Sequence, residues 1–402
     1  MEIVFGIDIS SKTFNVAIGI DNSIVKEYKT TNNRLGFKEL LVDLKQFEQP
    51  EVVFEATGTY SRRLEMFLQD YDYGYIRLNP LDAKKQMDNF RHRKTDIIDA
   101  RNLALSQFQF KRKNTYQAKP VYQDLKDYNH FYQELNNDVV RTKDRLHSAL
   151  QLTFPEIETL LSKTDSKLYW NLVKKFPIST IVFEYSIAEL KEIVMHATDK
   201  CISDKRALKI AEKLSKLANE SYPSVDEQSG VVMQVTYFVN QLMQLEQEKA
   251  VVIKEMSALS KELPEYEELL SLPGVAATTA NEIIAELGDI KRFKRPNQIN
   301  AYIGIDLKQY ESGEYKAARH ISKRGNAVAR KILYQAVINM VSAATHDSGK
   351  NHIADYYQRK KQSYPVKMTK KIAIASIARL IRTIFSLVKN RQQYTYYPTL
   401  SK

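Results

Sequence analysis

The stretch IVFGIDISSKTFNVAIGI, residues 3 to 20, decides how the amino-terminal part of this 402-residue chain folds. Two apolar runs, IVFGIDI (3 to 9) and FNVAIGI (14 to 20), flank the short polar turn SSKT and read as paired strands. Asp8 sits inside the first run between Ile7 and Ile9. Side chains on a strand alternate faces, so Asp8 points opposite to its apolar neighbours and lies where a site could form.

Working outward, SIVKEYKTT reads as a third strand and GFKELLVDLKQF as a helix. EVVFEA (51 to 56) is again a strand, SRRLEMFLQDY a helix and YGYIRLN a strand. After Asn79-Pro80, FRHRKTDIIDARNLA (90 to 104) opens a further helix. A meander followed by crossovers makes a mixed sheet with helices on its faces.

From about 121 to 152 the pattern becomes one long amphipathic helix, with Val121, Leu125, Tyr128, Tyr132, Leu135, Val139, Leu146 and Leu150 at helical spacing. A second such run lies at 232 to 259. Helices of this length suggest an antiparallel pair or an intermolecular coiled coil, and we favour a dimerisation role. The Lys-rich stretch 164 to 222 is helical and carries no chemistry legible in the sequence. Pro273-Gly274 in LLSLPGVAATTANEIIAELGDIKRF makes a tight turn between two helices, a helix-hairpin-helix-like segment whose amides could hold a phosphate. AYIGIDL, a hairpin-like QYESGEYKAA, RHISKRGN and two long basic helices follow. The expected organisation is three parts: 1–115 α/β, 116–262 helical, and 263–402 mostly helical.

Sixty Lys and Arg against 48 Asp and Glu give a net charge of +12, which favours a polyanionic partner. With 10% aromatic residues, DNA or RNA leads that class. No stretch approaches the roughly 18 to 20 apolar residues of a bilayer span. No signal-peptide pattern is present, and the single cysteine, Cys201, excludes an intramolecular disulfide and a Cys-based zinc site. A cytoplasmic protein without a membrane partner is expected.

Four carboxylates stand out. Asp8 lies in the first strand, Glu55 ends the fourth in VFEATGTY, and Asp96 and Asp99 at i and i+3 share one helix face. A lone strand aspartate is more often a turn or cap partner; together, on this element pattern, the four can converge. Hard oxygen ligands with no Cys nearby suit magnesium or manganese, and two such ions about 4 Å apart clamp the oxygens of a phosphodiester. Arg91, Arg93, Lys94 and Arg101 crowd the same helix. They are either salt-bridge partners on a solvated face or contacts to the phosphates that the metals activate; His92 reads as a phosphate contact or surface residue.

Ser322 in RHISKRGN stands between Arg319 and His320 on one side and Lys323 and Arg324 on the other. A serine ahead of a helix is most often an N-cap. The local cations could instead neutralise a bound phosphate and stabilise a serine alkoxide.

Asp8 in GIDIS, Glu55 in EATGTY, and Asp96 with Asp99 in KTDIIDARNLA resemble the DEDD motif of a family of bacterial insertion-sequence transposases. Their amino-terminal domain is similar to RuvC, the Holliday-junction resolvase with a ribonuclease H fold. LPGVAATTANEIIAELGDIKRF and HISKRGN resemble the family's carboxy-terminal transposase domain. The resemblance implies a ribonuclease H/RuvC-like α/β domain, a coiled-coil middle and a largely all-α transposase domain. It further implies a DNA recombinase in which Asp8, Glu55, Asp96 and Asp99 hold Mg2+ or Mn2+ while Ser322 joins covalently to DNA, with Arg319, Lys323 and Arg324 on nucleic acid. Donor and target DNA, an element-encoded guide RNA and a homo-oligomer, a dimer or dimer of dimers, are the implied partners, in the bacterial nucleoid.

Three rival readings fit the same sequence. A RuvC-like structure-specific endonuclease would use water in place of Ser322. GIDISSKTFNVAIGID also resembles the first phosphate loop of actin-like sugar kinases, but only 12 glycines and no further glycine cluster are present. A coiled-coil nucleic-acid binder with an inactive catalytic fold would not need Asp8.

Overall fold

The computed structural model describes residues 1–80, 95–308, 311–312, 315–316, 320–346, 349–363 and 368–397. They divide into two compact units, Met1–Gln117 and Ala118–Lys402.

In the first unit the hairpin forms as the pattern predicts: β1 (Ile3–Ile9) pairs antiparallel with β2 (Thr13–Ile20), Asp8 opposite Asn15. The turn is closed by the Ser10 amide and hydroxyl, which both donate to the Thr13 carbonyl. β3 (Ser23–Thr31), α1 (Arg34–Leu44), β4 (Glu51–Glu55), α2 (Arg62–Asp70), β5 (Tyr75–Leu78) and α3 (Asp96–Phe110) follow. The sheet order is β3-β2-β1-β4-β5, with β1, β4 and β5 parallel, so the mixed sheet expected from the element order is present.

The two sheet faces follow the strand alternation. Phe5, Ile7, Ile9, Val52 and Phe54 pack under Leu40 and Leu44 of α1 and Leu64 and Leu68 of α2. The opposite residues Val4, Val53, Ile76 and Leu78 pack against Leu103 and Ala104 of α3. Removal of these side chains from water is the main stabilising term, roughly 1.5–3 kcal/mol for each large one fully buried.

Gly6 sets how closely α3 lies on β1. A Cβ there would stand 2.1 Å from the Ala100 carbonyl oxygen and 2.5 Å from the Ala104 amide nitrogen. Gly19, level with Val4 near the start of β1, would meet the Phe108 ring at 2.7 Å. Helix α3 therefore runs antiparallel to β1, and its first turn lies towards the carboxyl end of that strand.

The second unit takes in both the stretch 116–262 and the stretch 263–402, and one hydrophobic cluster runs through it from Tyr122 to Val388. The long helices α4 (Pro120–Thr153) and α8 (Gly230–Ser260) pack on each other, as the antiparallel-pair reading allows. Between them lie α5 (Lys167–Lys175), α6 (Ile187–His196) and α7 (Asp204–Glu220). α9 (Pro264–Leu270) and α10 (Ala277–Leu287) form the helical hairpin. Gly274 at its turn has φ +84°, and a Cβ there would stand 2.8 Å from the Asn339 carbonyl oxygen. The turn is packed against a later helix, which favours a packing role for it over phosphate contact.

After α11 (Pro296–Ile303) come two short ladders, β6 (Leu307–Lys308) with β9 (His320–Ile321) and β7 (Glu311–Ser312) with β8 (Tyr315–Lys316). Three helices close the chain rather than the two expected: α12 (Ala327–Ala343), α13 (His352–Ser363) and α14 (Thr369–Asn390). Asn351 makes the extra break, because its side chain accepts from the Ala354 amide and donates to the Met340 carbonyl, capping one helix onto the end of another. No helix among the described residues is long and apolar enough to cross a membrane.

Candidate functional site

β1 and β4 are parallel, with Ile7 opposite Phe54, so Asp8 and Glu55 come next along their strands at the same carboxyl edge. Ligands in open α/β sheets bind at such edges. Both follow the alternation of Val4 and Val53 and so share the face covered by α3. Asp96 and Asp99 occupy the first turn of α3, the turn that Gly6 seats near this edge.

Electrostatics report the convergence. The Asp8 carboxyl is pushed up to about 6, first by burial and then by the charges of Asp96, Asp99 and Glu55; a hydrogen bond from the Ile9 amide opposes the shift. Like charges raise a carboxyl in this way only when they are near. Among the described residues, no three His, Cys, Asp or Glu side chains close to coordinating distance around one point. The carboxylates are neighbours around a shared edge, not a tightly collapsed cluster. Their hard oxygens are nonetheless the donor set that a magnesium or manganese ion takes, and a cation among them would relieve the mutual repulsion seen at Asp8.

The surrounding cations divide. Arg101 makes a bidentate ion pair with Glu27 on β3, at 2.8 and 2.7 Å, and its hydrogen bond holds the Glu27 carboxyl below the usual range. The salt-bridge reading therefore wins over phosphate contact at Arg101, and its partner is Glu27 rather than Asp96 or Asp99. Arg91, His92, Arg93, Lys94 and Arg319 lie outside the described residues.

Ser322 belongs to the second unit. It follows β9 directly, one position beyond the Leu307–Ile321 pair, so it faces Asp306 across the end of the β6–β9 ladder. Its amide donates to the Asp306 carbonyl at 2.8 Å and its Oγ donates to Asp306 Oδ1 at 2.5 Å. The N-cap of α12 is Asn326, whose side chain accepts from the Ala329 amide, so Ser322 is not the cap. Lys323 and Arg324 beside it are exposed.

The loop is held hard. Lys323 has φ 54° and Gly325 φ 105°, while Gly304, at φ 72°, packs so closely that a Cβ would stand 2.1 Å from the Arg324 carbonyl oxygen. Asn326 Nδ2 also donates to the buried Glu286 at 2.5 Å, and Asn129 of α4 donates to the same carboxylate at 2.7 Å. Two residues that sequence reading missed thus matter locally. Asp306 was legible only as part of AYIGIDL, and Gly6 only as a strand glycine.

Two family models match the chain. One, a DEDD-type transposase model of the IS110 group, matches residues 5–155, and the other, described as the transposase IS116/IS110/IS902 family, matches 266–358. Asp8, Glu55, Asp96 and Asp99 fall in the first segment and Ser322 in the second. The chain is similar to the transposase for insertion sequence element IS1111A of Coxiella burnetii, 38% identical over 80 residues, 20% of this chain and 22% of that protein. It is also similar to the transposase for IS1328 of Yersinia enterocolitica, 26% identical over 121 residues, 28% of this chain and 36% of that one. An IS110 protein of Streptomyces coelicolor is 21% identical over 221 residues, 53% of this chain and 52% of the relative. Each match spans less than two thirds of the relative's own length.

Proposed function

We propose, for a chain that belongs to the IS116/IS110/IS902 family of insertion-sequence transposases, a reaction that cleaves and rejoins DNA strands through a covalent seryl intermediate. The observation that carries it is the gathering of Asp8, Glu55, Asp96 and Asp99 at one sheet edge, close enough for three of them to raise the carboxyl of the fourth. A divalent magnesium or manganese ion held by these residues would polarise the scissile phosphate and stabilise the departing oxygen. Asp8 and Glu55 fix the strand side of that site, and Asp96 and Asp99 the helix side. Ser322 is the proposed nucleophile, and Lys323 and Arg324, exposed beside it, are the proposed phosphate contacts.

Donor and target DNA are the substrates in this reading. A structured RNA encoded by the element is the proposed guide, and a dimer or dimer of dimers the working assembly. Both rest on the resemblance of the motifs, to which a basic, tyrosine-rich chain is suited because Tyr and Arg stack on unpaired bases. RNA sequencing of the purified protein should return one discrete species, and light scattering a mass above one chain.

Asp99→Asn tests the site. Asn keeps the shape and removes one negative ligand, so cleavage of plasmid DNA carrying the element should be abolished while binding in a gel shift persists. Equal loss of both would make Asp99 structural. Cleavage without any protein–DNA adduct would assign water as the nucleophile and a RuvC-like endonuclease as the function.

A further inference from the structure

We infer that Asp306 is the proton acceptor of Ser322, forming with it a serine–aspartate pair in the second unit. The inference rests on the proposed nucleophilic role of Ser322. A serine hydroxyl is a poor nucleophile until a neighbouring base takes its proton, and such a base has to lie within about 2.6–3.2 Å of that proton's oxygen or closer. Asp306 Oδ1 accepts from Ser322 Oγ at 2.5 Å. Among the described residues no other side chain hydrogen-bonds this hydroxyl, and the Arg324 amide donates to it at 3.4 Å.

The pair is built, not incidental. The two residues oppose each other at the end of the β6–β9 ladder, and the Ser322 amide is fixed to the Asp306 carbonyl at 2.8 Å. On the far side, the Lys323 amide donates to the Gly304 carbonyl at 3.0 Å and the Asn326 amide to the Tyr302 carbonyl at 2.8 Å. Gly304 and Gly325 then interlock with no room for a Cβ on either. Lys323 is held in the left-handed region that non-glycine residues rarely adopt. Such strain persists where surrounding contacts over-determine it, which here fixes the Ser322 hydroxyl on Asp306. Asp306 is exposed and Ser322 partly so, which leaves the pair open to a polymer substrate.

The step balances as follows. Ser322 Oγ forms a bond to phosphorus as its proton passes to the Asp306 carboxylate. The phosphorus–oxygen bond to the departing strand breaks, and that oxygen takes a proton from water. In rejoining, a strand hydroxyl attacks the phosphoserine and gives its proton back to water, Asp306 returns its proton to Oγ, and the phosphorus–Oγ bond of the seryl ester breaks. One carboxyl thus serves as base in cleavage and acid in rejoining, with no net change.

Asp306→Asn separates proton transfer from simple tethering, because Asn still accepts a hydrogen bond from Ser322 and keeps the backbone contact. In cells carrying a plasmid with this gene and its flanking DNA, covalent protein–DNA adduct is recovered by denaturing precipitation. Adduct should fall about 100-fold or more in Asp306→Asn, within the range general-base removal costs, with unchanged melting temperature and gel-shift affinity. Asp306→Glu should recover part of it. The same Asp306→Asn change should cost far less in a Ser322→Cys background, since a thiol ionises near pH 8.5 without help. Adduct within twofold of wild type in Asp306→Asn, or an equal loss in both backgrounds, overturns the inference and leaves the seryl reading standing. Adduct that survives Ser322→Ala overturns both.

Discussion

A methyl group on Gly6 would meet backbone on two sides, the Ala100 carbonyl at 2.1 Å and the Ala104 amide at 2.5 Å, so it cannot be absorbed by a side-chain rotation. Helix α3 would have to lift from β1, at a cost of about 1–3 kcal/mol or more. Because α3 carries Asp96 and Asp99, Gly6→Ala should lower the melting temperature and reduce cleavage together; an unchanged melt with lost cleavage would mean a direct role for the glycine. Glu282 on α10 gives a pH effect of definite sign. Burial, the largest cause, pushes its carboxyl from 4.5 up to about 7; the Gln133 hydrogen bond and Lys331 oppose this and Glu286 adds to it. Between those values the folded chain keeps a proton that the unfolded chain has released, so the contribution of Glu282 to stability is fully present below about 4.5 and is lost as pH rises to about 7. The steepest slope for one such group is about 1.4 kcal/mol per pH unit. Urea melts of Glu282→Gln should lose this part of the slope between pH 5 and 7.5.

Elements with a clear period were legible in the sequence, and contacts between distant residues were not. The alternation around Asp8 and the i, i+3 spacing of Asp96 and Asp99 place those side chains on definite faces, which is why all four acids could be read together. The extents of α4 and α8 came within two residues of the 121–152 and 232–259 runs for the same reason. Arg101 could not be assigned, since its partner Glu27 lies 74 residues away on a strand two places from β1 in the sheet. Asp306 was hidden because a two-residue ladder carries no periodic signal. The serine itself looked like a helix cap, and the structure gives that task to Asn326. Asn326→Ala should therefore cost about 1–2 kcal/mol, with more lost at Glu286, whose buried carboxylate it also contacts. Ser322→Ala should cost only about 0.5 kcal/mol, because Ser322 is partly exposed and its partner Asp306, being exposed, keeps water as a hydrogen-bond partner. Denaturant melts of the two variants decide it, and a reversed order would restore Ser322 as the structural residue.

At the scale of the whole molecule, a net charge of +12 says that the chain attracts a polyanion but not where it is held. The two units assign different tasks to cations that look alike in sequence. Arg101 is closed by Glu27 in a bidentate pair, whereas Lys323 and Arg324 stand exposed beside Ser322. Binding to a random-sequence DNA duplex converts this difference into a number, because each phosphate neutralised adds about −0.9 to the slope of log affinity against log salt. Lys323→Ala and Arg324→Ala should each weaken binding across sequences and make that slope shallower by about one. Arg101→Ala should leave the slope as it is, since it frees a carboxylate and removes no phosphate contact. If Arg101→Ala instead flattens the slope as much as Arg324→Ala, the Glu27 pair opens on DNA, and the basic face extends across β3 towards the carboxylates that α3 carries.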